Sequence, residues 1–149
     1  MKINGLLCLH GGLSPELLAR RLPLADINNA VREVLQEHPA EDAAARERAE
    51  FLLGERGPLW YRGYFPASSG GVTAGADDVA ALRRFYGAER ILVGHTIVPT
   101  ITPLYGGQVI AVQVYPRHAE SGQVSFEALL VRDGVPYRAR PDGSVERLP

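Results

Sequence analysis

A single cysteine, Cys8, leaves no partner for an intrachain disulfide, and its place inside a short apolar run makes it read as an inert buried thiol. The chain has no apolar run of the roughly 18 residues needed to cross a membrane. Its opening residues, Met1-Lys2-Ile3-Asn4-Gly5, lack the apolar length of a secretory leader. Charge of either sign is not in excess. The formal net charge is −1 with the signs interspersed, which offers no basic field to nucleic acid and no like-charge block to a membrane surface. Partners of those two classes are excluded on this reading, and a cytoplasmic location is the default expectation. There is no internal repeat and no linker rich in Gly, Ser or Pro, so residues 1–149 are expected to form one unit.

What is present suits a packed domain: 46% hydrophobic and 22% charged residues, in a chain of 149, can bury a core. The most informative stretch runs over residues 6–16. Leu6-Leu7-Cys8-Leu9 has strand length and delivers His10 into two glycines and a Ser14-Pro15 turn. Residues 90–93 repeat the design, ending in Gly94-His95-Thr96. In open α/β sheets ligands bind beyond the carboxyl ends of the strands, so two strands that each end on an imidazole place both histidines where a cation would be held. Gly11 and Gly12 allow a sharp bend and close approach by a substrate or ion.

Between and after these strands the pattern predicts helices, a functional loop and more strands. A short helical turn is expected over 15–21. A helix capped by Asp26 follows, with Ile27, Ala30, Val31, Val34 and Leu35 on one buried stripe, stopping at His38-Pro39. Residues 41–53 read as a mostly solvated helix with Gly54 just past its end, and residues 77–86 as another, with Gly87 beyond it. Residues 57–73 carry Trp60, Tyr61, Arg62, Tyr64 and Phe65 among glycines and prolines, too long a loop for a mere connector. Its aromatic residues are expected to pack and order it, and Arg62 is its candidate phosphate-gripping side chain, since a planar guanidinium can hold two phosphate oxygens at once. Residues 101–105, 108–114, 124–131 and 135–140 read as consecutive antiparallel strands. His38 at a helix end and His118 in an inter-strand loop do not read as ligands.

His10-Gly11-Gly12-Leu13-Ser14-Pro15 and Gly94-His95-Thr96 resemble the last two metal-binding motifs of the calcineurin-like metallophosphoesterases, the first being most similar to the phosphoprotein phosphatase branch. Gly57-Pro58-Leu59-Trp60-Tyr61-Arg62-Gly63-Tyr64 resembles the segment that supplies a phosphate-binding arginine in bacterial members of that branch. The resemblance implies an α/β fold: the C-terminal half of a four-layer α/β/β/α sandwich with a C-terminal antiparallel meander. It implies a dinuclear centre of Mn, Fe, Zn or Ni in which His10 and His95 ligate one of the two metals, Arg62 as a catalytic residue, and a phosphate ester or phosphoprotein as substrate. Gln113 departs from the aspartate that bacterial relatives tend to carry there.

The family's three earlier motifs, Asp-x-His, Gly-Asp-x-x-Asp-Arg-Gly and Gly-Asn-His, do not occur in these residues. Two functions therefore stay open. One is a metal-dependent phosphoesterase represented by its C-terminal half. The other is an inactive truncated remnant or interaction module with at most a weak single-metal site. In either case this chain alone is expected to be inactive, and an incomplete sandwich is expected to expose a sheet edge prone to self-association.

Overall fold

The computed structural model describes residues 1–36, 42–65, 70, 72–118, 122 and 124–149. The chain opens with a hairpin. Strand β1 (Lys2–Ile3) turns through Asn4 and Gly5, both at positive φ (46° and 79°), and returns antiparallel as β2 (Leu6–Leu9). Helices α1 (Pro15–Ala19), α2 (Leu24–Leu35), α3 (Ala43–Leu53) and α4 (Ala76–Tyr86) follow. Strand β3 (Arg90–Val93) then inserts parallel to β2, with Leu9 opposite Val93. β4 (Thr102–Leu104) and β5 (Val109–Ala111) complete a sheet ordered β1-β2-β3-β5-β4, in which β5 runs parallel to β3 and antiparallel to β4.

Period-two alternation sends the side chains of these strands to two cores. Leu7, Ile91, Val93, Val109 and Ala111 pack with Leu17, Ile27, Leu52, Val79 and Leu82 from the four helices. Leu92 and Ile110 point the other way and pack with Ile101, Leu129 and Leu148. That second face is covered by a smaller antiparallel sheet ordered β10-β9-β8, formed by β8 (Ala128–Arg132), β9 (Val135–Ala139) and β10 (Val145–Arg147). Helices, main sheet and second sheet thus lie one over another. β6 (Arg117–His118) and β7 (Val124–Ser125) pair separately.

Several expectations need correction. The four C-terminal runs are not one meander. β4 and β5 join the main sheet, the run over 124–131 divides between β7 and β8, and β10 adds a strand the alternation did not signal. His118 lies in β6 rather than in a loop. α2 begins at Leu24 with Pro23, in extended backbone (φ −63°, ψ 155°), as its N-cap residue, so Asp26 sits in the first turn instead of capping. Its stripe buries Ile27 and Ala30, whereas Leu35 is 76% exposed because the helix runs past the core. α2 ends at Leu35, and His38-Pro39 lies outside the described residues. Gly54 is extended (φ −81°) rather than left-handed, while Gly87 does adopt φ 60° and closes α4 as expected. Cys8 is half-buried.

The second sheet is pinned to the first by a partly desolvated charge cluster. Arg138 on β9 donates from Nη2 to the Ile101 carbonyl (2.6 Å) and lies 3.4 Å from the Glu127 carboxylate. Glu127 Oε2 in turn accepts from the Thr100 hydroxyl (2.6 Å) and the Ile101 N–H (2.8 Å). Burial pushes the Glu127 carboxyl up. The Thr100 and Ile101 donors and the charges of Arg138 and Arg140 outweigh that and hold it below its usual 4.5. A carboxyl depressed in the folded state contributes stability above its unfolded pKa and loses it as pH falls through the folded value. Stability is accordingly expected to drop below about pH 4.5, with Glu127→Gln flattening that slope. Arg138→Ala, which takes a cation from beside Glu127 and the donor from the Ile101 carbonyl, is expected to cost about 3 kcal/mol at neutral pH. Urea unfolding at pH 7 and along a series down to pH 3 checks both, and an unshifted midpoint for Arg138→Ala would show the sheets are held by apolar contact alone.

Candidate functional site

The arm that carries His10 is built by contact with a second segment, residues 56–64. Beyond Leu9, the Gly11 N–H donates to the Pro58 carbonyl (2.9 Å). A Cβ on Gly11 would lie 2.6 Å from the Leu59 carbonyl oxygen, so the approach of the two backbones requires glycine there. The Tyr64 hydroxyl both accepts from the Leu13 N–H and donates to the Leu13 carbonyl (each 3.1 Å). Ser14 caps α1 by accepting from the Leu17 N–H and spends its own proton on the Arg56 carbonyl (2.7 Å). Burial pushes the Tyr64 phenol up, and burial with the neighbouring Tyr105 and Asp78 pushes Tyr61 up to about 12. Neither phenol ionises near neutrality, and both serve as packed struts.

His95 arrives from the adjacent parallel strand. The Gly94 N–H donates to the His10 carbonyl (2.9 Å), continuing the β2–β3 ladder one step past the strands. His95 itself adopts φ 58°, a left-handed conformation that is unfavourable for a side-chain-bearing residue and that recurs where a functional group must be aimed. It brings the two rings together with centroids 4.8 Å apart. His95 Nδ1 then lies 3.0 Å from His10 Nε2, and Arg62 Nη2 lies 2.7 Å from His95 Nε2.

These distances assign the protons. A guanidinium only donates, so His95 Nε2 must accept and its proton sits on Nδ1, where it is donated to His10 Nε2. Burial, then the Arg62 charge, then His10, hold the His95 pKa below 6.5. The ring is neutral at pH 7. A separation of 3.0 Å between the facing nitrogens is also that of two adjacent donors on one cation with bonds of about 2.1 Å. With the His95 proton moved to Nε2, these two nitrogens could hold one metal between them. Among the described residues no group of three or more His, Cys, Asp or Glu side chains converges, so no further side chain of those four types joins the pair.

All three candidates named from sequence, His10, His95 and Arg62, thus meet in one place. Trp60 was expected to pack, and it does so only in part. Tyr61 and Tyr64 are buried, but Trp60 is 53% exposed and stands edge-on to His95 with ring centroids 5.0 Å apart and planes at 88°. Position in the loop carried no signal for this, because adjacent residues of an irregular segment have no fixed period.

No protein-family model matches the chain. Among solved structures it is similar to the cold-active protein-tyrosine phosphatase of a psychrophile, Shewanella sp., with a TM-score of 0.75 and 29% identity over 100% of this chain and 42% of that one. A mutant of cold-active protein tyrosine phosphatase matches with a TM-score of 0.74 and 30% identity, over 100% and 42%. The structure of that phosphatase at 1.1 Å matches with a TM-score of 0.75 and 29% identity, over 99% and 40%. The chain spans about two fifths of the length of these phosphatases. Imidazole glycerol phosphate synthase hisHF of Emericella nidulans is 35% identical over 60 residues, 40% of this chain and 11% of that protein. The mixed α/β fold is therefore shared with phosphatases over the whole of this chain, and the resemblance to phosphate-ester hydrolases is upheld at that level.

Tyr64→Phe tests the docking of the two segments. It leaves the buried Leu13 N–H and carbonyl without the hydroxyl that serves both, and it is expected to lower stability by about 1–3 kcal/mol. Chemical denaturation of the variant measures this, and a neutral result would mean that the loop docks by backbone and apolar contacts alone.

Proposed function

We propose that this chain forms the C-terminal part of a metal-dependent phosphoesterase of the calcineurin-like class, acting on phosphate monoesters or phosphoproteins. The observation that carries the reading is the 3.0 Å approach of His10 Nε2 and His95 Nδ1 with Arg62 against the same ring. The phosphatase identity of the structural neighbours supports phosphoester hydrolysis in general, and the metal-dependent branch rests on the histidine pair. On this proposal the stacked helices, main sheet and second sheet are part of a four-layer sandwich, and the full centre is dinuclear, of Mn, Fe, Zn or Ni. Such cations, when bound, supply positive charge to the phosphate and lower the pKa of water for in-line attack.

The chain's own residues do the rest. For His10 Nε2 and His95 Nδ1 both to act as donors to a cation, each ring must carry its proton on its other nitrogen. On His95 that nitrogen is Nε2, which then meets the Arg62 N–H. Two donors face each other there, so Arg62 parts from His95. Its guanidinium is then free to grip two phosphate oxygens and to offset the charge that grows on them during transfer. Arg62 is thus a catalytic residue whose position depends on the protonation of its neighbour. A second reading, a module that binds one cation without turnover, is favoured by the absence of a three-donor group among the described residues.

Calorimetric titration with zinc is expected to show one ion bound per chain, abolished by the pair His10→Ala and His95→Ala. Arg62→Ala should tighten zinc severalfold, since it removes the competing donor and its charge, yet it should abolish zinc-dependent binding of inorganic phosphate. Zinc affinity unaffected by loss of both histidines would overturn the proposed site.

Ligand count gives a further expectation for the 149-residue chain assayed by itself. Two neutral imidazoles supply no carboxylate to a dinuclear centre, so para-nitrophenyl phosphate should be cleaved no faster than by the double-alanine variant across Mn, Zn, Ni and Fe. Metal-dependent turnover lost in that variant would show that a second copy completes the site.

A further inference from the structure

We infer that Trp60 is a specificity-determining residue that makes this site prefer aryl over alkyl phosphate esters, an inference that rests on the proposed phosphate site. Of the aromatic residues at 60, 61 and 64, the fold buries Tyr61 and Tyr64 and leaves the largest, Trp60, 53% exposed. An indole held at the surface is unremarkable when it stands alone. This one does not stand alone: its ring centroid is 5.0 Å from that of His95, whose Nε2 is 2.7 Å from Arg62. It lines a cleft of about 450 Å³ together with Glu55, Arg56, Tyr61 and Arg62, a cleft that the histidine pair adjoins through Trp60 but does not line. That volume lies in the range of small-molecule sites, roughly 300–1,000 Å³.

The backbone that carries the indole is also held in place. The Trp60 N–H donates to the Gly57 carbonyl (3.2 Å), and the preceding Leu59 carbonyl abuts Gly11. Backbone contacts therefore fix where the ring emerges, and the perpendicular His95 ring bounds one side of it. Trp60 and Arg62 line the same cleft, so a phosphate gripped by Arg62 within it lies beside this ring. In an aryl phosphate the ring is bonded directly to the bridging oxygen, so it falls within stacking or edge-to-face range of Trp60. An alkyl ester presents no π-face there, and an aromatic pair of this kind discriminates by roughly 2- to 10-fold in affinity.

Trp60 is the single tryptophan of the chain, so intrinsic fluorescence reports on this residue alone. The zinc-loaded protein is titrated with benzylphosphonate, in which a methylene replaces the ester oxygen of an aryl phosphate, and with ethylphosphonate as its alkyl counterpart. Benzylphosphonate is expected to change the emission of Trp60 and to bind about fivefold more tightly. By calorimetry Trp60→Ala should erase that ratio and Trp60→Phe should retain part of it, while Arg62→Ala weakens both ligands alike. Equal affinities that still depend on Arg62 would overturn the aryl preference and leave the phosphate site standing. Failure of both phosphonates to bind, or binding indifferent to Arg62, would overturn the aryl preference and the phosphate site together.

Discussion

The backbone contact between residues 11–14 and residues 56–64 is the constraint on which the site depends. It works because Gly11 has no Cβ: a side chain there would occupy the place of the Leu59 carbonyl. Closing this contact does three things at once. It terminates β2 so that His10 emerges at the sheet end, it seats Ser14 to start α1, and it holds Trp60 and Arg62 beside a strand from which they are about fifty positions distant. Each hydrogen bond across it is worth on the order of 1 kcal/mol. Their larger effect is to remove the freedom of a loop that has no helix or strand of its own to define it.

The second element of the site is electrostatic. Arg62, His95 and His10 form a relay of one fixed donor and two rings, and the guanidinium decides the tautomer of His95 because it has no acceptor to offer. The same charge, second to burial, keeps His95 neutral. A cation and Arg62 thus make opposite demands on the same imidazole. On the proposed function, that antagonism would link a cation on the histidine pair to release of the arginine toward substrate without any movement of the backbone.

The scaffold beneath the site is stiffened from its other face. Leu92 and Ile110 send apolar side chains to the second sheet, and Arg138 with Glu127 binds that sheet to residues 100–101. Desolvation of such charges is offset only because each is met by a directed partner. The cluster therefore contributes register more than it contributes net stability: apolar contact alone would tolerate sliding of one sheet on the other, whereas the Arg138 to Ile101 hydrogen bond does not.

By itself the sequence determined what depends on near neighbours. The apolar runs ending in His10 and His95, the Ser14-Pro15 start of α1, the Gly87 stop of α4 and the placing of both histidines at strand ends are all written within windows of about ten residues, where period and capping chemistry operate. The proposal of Arg62 as a phosphate-gripping side chain came from its residue type and its motif. Tertiary structure alone decided which strands pair, and so took β5 out of a C-terminal meander and set it parallel to β3. It also decided that α2 overruns the core at Leu35, that Arg62 rests on His95, and that Trp60 faces outward while Tyr61 and Tyr64 turn in. These are outcomes of competition for contacts between segments far apart in the chain. A strand has the same local pattern whichever neighbour it pairs with, and an aromatic residue in an irregular loop has no periodicity to say which way it faces.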